Sequence, residues 1–305
     1  MKKVGFIGLG IMGKGMALNL VKHEFPLTVY DISPAPVSEL VAAGAKEAKS
    51  PREVAEQSEV IVTCLPMPKD VEEVACGPNG ILEGAKEGST IIDTSTIDPD
   101  TIQRVAALAA EKGVDVIDST MAGGGPKGAA VGQQTLITGA KKEVIDRCSD
   151  VLNVLGNNIV HVGDVGMGKV IKLCFNMYAA TEVAAAAEAF AFGVKCGADP
   201  KTIFDVINTA KGGDWILERV CPWPDLVPGT PASRNYEMPG FFTDLLKKDL
   251  GLVADTAKAK NVPLYLSNIV LQILEATSNI GLGKKDYTSM MILIRRLAGL
   301  ESDKI

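Results

Sequence analysis

This sequence predicts a two-domain chain: a doubly wound, mostly parallel α/β sheet domain, then an all-α domain. Three observations carry that expectation. Short apolar runs alternate with helical stretches from Val4 to about His161. The strand signal vanishes after Gly168, leaving helices joined by loops. The chain is 305 residues long, more than one ordinary core accommodates.

The predicted strands are Val4–Ile7, Leu27–Tyr30, Val60–Leu65, Thr90–Ile92, Val114–Ile117, Thr135–Thr138 and Ile159–Val162. Their apolar character is that of strands buried on both faces. Between them, helices are predicted at Met12–Lys22, Val37–Ala43, Pro51–Glu56, Lys69–Val74, Pro99–Lys112 and Lys142–Val154. Strands alternating with helices give right-handed βαβ units and a parallel sheet. Beyond Gly168, Val170–Cys196 is rich in alanine and lacks proline, so one helix about 40 Å long is expected. Further helices are predicted at Pro200–Ala210, Phe242–Lys260, Leu264–Ile280 and Tyr287–Leu300, and the proline-rich stretch Cys221–Pro239 reads as a loop. The boundary falls in the glycine-bearing stretch Gly163–Gly168, giving domains 1–165 and 166–305.

Composition narrows the classes of function. A formal charge of -6 argues against a nucleic-acid surface, although a few local cations can still hold a small anion. The six cysteines include no C-x-x-C pair, and the two histidines, His23 and His161, stand far apart. Reduced thiols in a cytoplasmic compartment are therefore expected, with no metal site. Met1-Lys2-Lys3 leads straight into the first strand, so no signal peptide is expected. No uninterrupted apolar run reaches the roughly 18–20 residues of a span, so a soluble protein without a membrane partner is expected.

Gly8-Leu9-Gly10-Ile11-Met12-Gly13 follows a strand and opens a helix. The first glycine permits the tight turn, the second lets a pyrophosphate approach the backbone, and the third lets helix and strand pack closely. The helix start then offers free amides and a positive dipole end to the phosphates. The next strand ends at Asp31, where a carboxylate can accept from both adenosine ribose hydroxyls and repel a 2′-phosphate. Strand, glycines, helix and acid in this order predict a Rossmann-type NAD site, with NAD preferred to NADP. The strand exits Cys64-Leu65-Pro66-Met67 and Asp93-Thr94-Ser95-Thr96 should line the same cleft; they would serve equally as a plain strand exit and a helix cap.

Gly166-Met167-Gly168 leads into the long helix, on which Lys172 and Asn176 stand four residues apart and share a face. One could exchange the proton of an alcohol while the other holds its oxygen. Desolvation, or a second cation such as Lys248, would bring the lysine toward a useful range. A solvated lysine beside an asparagine fits the same residues. After the strand Val114–Asp118, the stretch Ser119 to Gly128 is read as a glycine-rich turn, able to cradle a carboxylate with its amides or merely to connect.

On these motifs the sequence resembles the β-hydroxyacid dehydrogenase family, and within it the 3-hydroxyisobutyrate dehydrogenase branch. The opening glycine signature with Met16-Ala17 and Asn19-Leu20, the Gly166 to Asn176 motif, and Lys248-Asp249-Leu250-Gly251-Leu252 carry the likeness over essentially the whole chain. Pro222-Trp223-Pro224 through Pro231-Ala232-Ser233 to Gly240-Phe241 resembles the branch. The resemblance implies Lys172 as general acid/base and Asn176 as the residue that orients substrate. It implies Leu65, Pro66, Thr96 and Lys248 as cofactor contacts, and Ala122-Gly123-Gly124 as holder of the substrate carboxylate. It also implies a homodimer or homotetramer acting on a small hydroxy acid or its semialdehyde. Two departures stand out. Ala122 replaces the family's usual serine, and a lost hydrogen bond to a charged group costs about 1.5–3 kcal/mol. In the same turn Gly125 to Gln134 is one residue longer than usual; the second departure is Phe175, which stands where a second asparagine is common. Two further readings follow from the altered turn and the fold: a reductase of a sulfonated or otherwise atypical semialdehyde, and a cofactor-binding interaction module without turnover.

Overall fold

The structure, a computed structural model, describes residues 1–210 and 215–300, so residues 211–214 and 301–305 of the predicted helical domain lie outside it. It contains two compact units, Met1–Lys172 and Leu173–Ile305. The division falls inside the long helix, later than the glycine stretch, because the first turn of that helix is tied to the sheet.

The first unit holds β1 (Val4–Ile7), α1 (Ile11–Lys22), β2 (Leu27–Tyr30), α2 (Pro34–Ala42), β3 (Lys46–Glu47), α3 (Pro51–Glu56) and β4 (Val60–Thr63). Then come α4 (Pro68–Cys76), α5 (Ile81–Gly84), β5 (Thr90–Asp93), α6 (Pro99–Ala110), β6 (Asp115–Ala122), α7 (Gly125–Ala129), β7 (Thr135–Gly139), α8 (Lys142–Arg147), α9 (Ser149–Leu155) and β8 (Asn158–Gly163). The strand order is β3-β2-β1-β4-β5-β6-β7-β8, and every pairing is parallel except β6 with β7. Chain order reverses direction between β1 and β4, the kind of crevice where such sheets bind ligands.

Period-2 alternation divides the strands between two cores. Val4, Phe6, Val60, Val62, Ile92 and Ile117 face one cluster with α1; Ile7, Ile61, Ile91 and Val116 face the other with Val105 of α6. Capping is local: Asp98 accepts from the Thr101 N–H at 2.8 Å, with Pro99 in the first turn of α6.

Three expectations need correction. The stretch from Asp118 to Ala122 is strand, not turn, because β7 supplies an antiparallel partner as far as Ala122 opposite Thr135. The predicted helix Lys142–Val154 is two helices divided at Cys148. The segment Gly125–Ala129 folds as α7 despite its glycines.

Long helix α10 (Met167–Lys195) leads into the second unit, followed by α11 (Pro200–Ala210), α12 (Trp215–Val220), α13 (Thr243–Ala259), α14 (Leu266–Thr277) and α15 (Met290–Leu297). By length and composition α10 is apolar enough to cross a membrane, a property the sequence reading gave to no segment. Its Ala180, Val183, Ala184, Ala187 and Phe190 are buried in the helical unit's own cores, which accounts for the apolar character. The proline-rich loop packs Trp223 against Phe190, with the Arg295 guanidinium 5.1 Å from its ring centre.

Candidate active site

The glycine loop spans the exit of β1 and the start of α1. A Cβ on Gly8 would stand 2.3 Å from the Cys64 carbonyl oxygen, and Gly8 has φ +92°, which favours glycine. A Cβ on Gly13 would stand 1.9 Å from the Gly8 carbonyl oxygen. Gly10 differs: a Cβ there meets nothing within 4 Å. Two glycines therefore serve packing, and the middle one borders open space. Helix α1 begins at Gly10 with no side-chain cap and no acidic residue in its first turn. That start accepts an anion, so these residues fit a dinucleotide pyrophosphate. Beside it, Asp31 accepts from the N–H groups of Leu9 at 2.6 Å and Ser33 at 2.7 Å. A carboxylate has about four acceptor positions, so this leaves capacity for ribose hydroxyls.

The exits of β4 and β5 are joined by side chains. Leu65 N–H donates to Ser95 Oγ at 2.9 Å, and Ser95 Oγ donates to Asp93 Oδ1 at 2.7 Å. Thr63 Oγ1 donates to the same oxygen at 2.6 Å. Leu65 and Pro66 thus sit at one strand exit and Thr96 at the next, with Leu65 and Thr96 half-buried and Pro66 exposed. Cys64 lies beside them, and burial pushes its thiol up to about 11, so it is no nucleophile at neutral pH.

Ala122 ends β6, and only Gly123 (φ +83°) and Gly124 leave the strand before α7. A Cβ on Gly123 would meet nothing within 4 Å, as at Gly10.

At the start of α10, Lys169 is fully buried. Its ammonium lies 2.8 Å from Asp93 Oδ2 and 3.2 Å from Asp118 Oδ1, and it donates to the Asp93 carbonyl oxygen at 2.9 Å. Burial alone would lower its proton affinity; the two carboxylates outweigh that and hold it above the usual lysine value. Burial pushes Asp118 up, against the pull of Lys169. Lys172 follows one turn later, half-buried. In the helical unit, Asn176 is buried and its Nδ2 donates to Asp249 Oδ2 at 2.7 Å. Lys248 Nζ stands 2.8 Å from Asp249 Oδ1. Asp249 therefore links Asn176 to Lys248.

The sequence assigns no role to Lys169 or Asp118, gives Asp93 and Ser95 only a place at a cleft-lining strand exit, and gives Asp249 only a place in the C-terminal signature. One signal was available: Asp93 and Asp118 end or interrupt apolar strand runs, and a carboxylate buried there needs a partner.

Comparisons with known proteins agree with this fold. Residues 3–163 match the model of the NAD-binding domain of 6-phosphogluconate dehydrogenase. Residues 166–294 match the NAD-binding model of NADP-dependent 3-hydroxyisobutyrate dehydrogenase. The mitochondrial 3-hydroxyisobutyrate dehydrogenase of Mus musculus is 39% identical, over 96% of this chain and 87% of that protein. The 2-(hydroxymethyl)glutarate dehydrogenase of Eubacterium barkeri is 37% identical, over 98% and 96%. Among solved structures, Mycobacterium tuberculosis 3-hydroxyisobutyrate dehydrogenase with L-serine superposes with a TM-score of 0.90 at 32% identity, covering 97% of this chain and 99% of that one.

Proposed function

Because this chain belongs to the β-hydroxyacid dehydrogenase family and is an NAD-dependent hydroxyacid dehydrogenase, we propose that it acts on short 3-hydroxy acids of the 3-hydroxyisobutyrate type. The observation that carries this reading is the Lys172 and Asn176 pair, one turn apart at the start of α10, in a chain whose glycine loop fits a dinucleotide. The small molecules named with the relatives share one chemistry. 3-Hydroxyisobutyrate, 2-(hydroxymethyl)glutarate and L-serine each carry a hydroxymethyl group on the carbon that bears the carboxylate.

Gly8, Gly10 and Gly13, with Leu9, Ile11 and Met12, would hold the pyrophosphate, and Asp31 the adenosine ribose. Leu65, Pro66, Thr96 and Lys248 would complete the cofactor contacts. The negative charge of Asp31 favours NAD over NADP. Bound NAD supplies the acceptor for the hydride that leaves the carbinol carbon. In its neutral form Lys172 takes the hydroxyl proton, and Asn176, its amide held by Asp249, fixes the hydroxyl oxygen. Backbone amides at Gly123 and Gly124 receive the carboxylate, and Ala122 leaves room where a hydroxyl is usual. The product is the semialdehyde, and the reverse direction reduces it. Association into a homodimer or homotetramer belongs to the same reading, and the exposed Phe192, Tyr265 and Leu266 of the helical unit support it.

Replacing Lys172 with alanine should cut turnover about 100-fold while NADH affinity stays nearly unchanged. Equal turnover would overturn the role of Lys172. The substrate reading is tested with 3-hydroxyisobutyrate, 2-(hydroxymethyl)glutarate, L-serine and a sulfonated semialdehyde. Turnover confined to the sulfonated compound would replace it with the reading that the Ala122 departure favours.

A further inference from the structure

Asp93 and Asp118 are register partners on adjacent parallel strands, so their side chains leave the same face of the sheet side by side. Both are buried, and like charges directly opposite on a sheet repel. The buried ammonium of Lys169 sits between them. We propose that Lys169 is a positioning residue, whose link to Asp93 and Asp118 fixes the first turn of α10 on the exit of β5 and the middle of β6 and so sets the place of Lys172. This rests on the proposed role of Lys172.

The geometry gives each carboxylate a second task. Asp118 Oδ2 accepts from the N–H groups of Gly166 at 2.9 Å and Lys169 at 3.1 Å, which holds the backbone where α10 begins. Thr120 Oγ1 adds a bond to the Gly168 carbonyl oxygen at 3.1 Å. A Cβ on Gly168 would stand 2.6 Å from Asp118 Oδ1, so the turn lies directly against the carboxylate. Asp93 reaches the other way, through Ser95 to the Leu65 amide and through Thr63 to β4. Lys169 thus connects the backbone expected to touch the cofactor with the helix turn that bears Lys172. From Lys169 to Lys172 is three residues, about 4.5 Å of helix rise, so a shift at one is carried to the other. A neutral side chain would leave two uncompensated buried carboxylates and no link.

The test separates charge balance from positioning. Lys169→Met leaves both carboxylates unpaired and should lower the melting temperature by about 5 °C or more. Adding Asp118→Asn removes the surplus charge and should restore most of that loss, while the link stays broken. In this double variant kcat should remain at least about tenfold below wild type with KM changed less than about threefold. A second readout does not depend on turnover: the acylation rate of Lys172 by an amine reagent, followed by peptide mass spectrometry, should differ from wild type. Recovery of kcat together with melting temperature would assign Lys169 to charge balance alone and overturn the proposal. A wild-type acylation rate in the folded double variant overturns it too, as does a double variant that no longer folds. A wild-type enzyme inactive on every hydroxy acid sinks the substrate reading instead, and the acylation rate still decides the place of Lys169.

Discussion

The Asp31 carboxylate accepts from Leu9 N–H and Ser33 N–H, so it shapes the glycine loop as well as presenting a charge at the end of β2. Asp31→Asn keeps one acceptor oxygen and removes the charge. The ratio of kcat/KM with NADP to that with NAD should then rise about tenfold, the order expected for removing one repulsive contact near the surface. An unchanged ratio would show that Asp31 does not set cofactor choice. At this scale the sequence was informative where a residue acts alone and silent where it acts through a partner. Gly8, Gly10, Gly13 and Asp31 stand out by spacing. Asp249 does not, because its meaning lies in Asn176, 73 positions away. Lys169 was hidden for the same reason: a lysine beside Val170 and Ile171 reads as an exposed helix residue until two distant strands place carboxylates around it.

At the scale of elements, the junction of β1 with α1 makes a sharper test of the site than any single contact, because its glycines do different work. A methyl group at Gly13 would lie 1.9 Å from the Gly8 carbonyl oxygen, so Gly13→Ala must push helix from strand. Gly13→Ala should cost about 2–3 kcal/mol of stability, read as an earlier denaturant midpoint. At Gly10 the backbone has φ -63° and ψ -170°, which alanine adopts, and the methyl meets open space. Gly10→Ala should keep its melting temperature within about 2 °C while NADH binds at least tenfold more weakly. Equal NADH affinity in Gly10→Ala would mean that the pyrophosphate lies elsewhere. The central strands were legible because burial on both faces leaves an unbroken apolar run. The strand Asp118–Ala122 was not, since its Ser119 and Thr120 are polar; Ser119 is satisfied by Thr138 across the antiparallel pair, at 3.0 Å between hydroxyl oxygens. The two-residue β3 is polar and exposed, so it leaves no hydrophobic trace.

At the scale of the whole molecule, the buried Cys148, Cys221, Tyr236, Tyr287 and Lys169 all hold their protons more tightly in the native state than in the unfolded chain. Lys169 and Cys148 lie buried in the sheet unit; Cys221, Tyr236 and Tyr287 lie buried in the helical unit. Burial raises Cys221 to about 11 and raises Cys148, Tyr236 and Tyr287, while Asp93 and Asp118 hold Lys169 above its usual value against the effect of burial. In each case the native state keeps a proton that the unfolded chain releases at lower pH. Below the ordinary values of these groups both states are equally protonated, and their contribution to stability is complete. As pH rises past about 9 for the thiols and past about 10 for the phenols and the ammonium, only the unfolded state loses protons. The native state then binds more protons than the unfolded state, so unfolding free energy falls with rising pH. The melting temperature should therefore hold steady between pH 7 and about 8.5 and decline through pH 11. Replacing Cys64, Cys76, Cys148 and Cys221, the thiols that burial raises, with alanine should remove the first part of that decline, near pH 9, and leave the later part. A melting temperature flat to pH 11 would mean that these groups are hydrated in the native state and that the two cores are looser than their packing indicates.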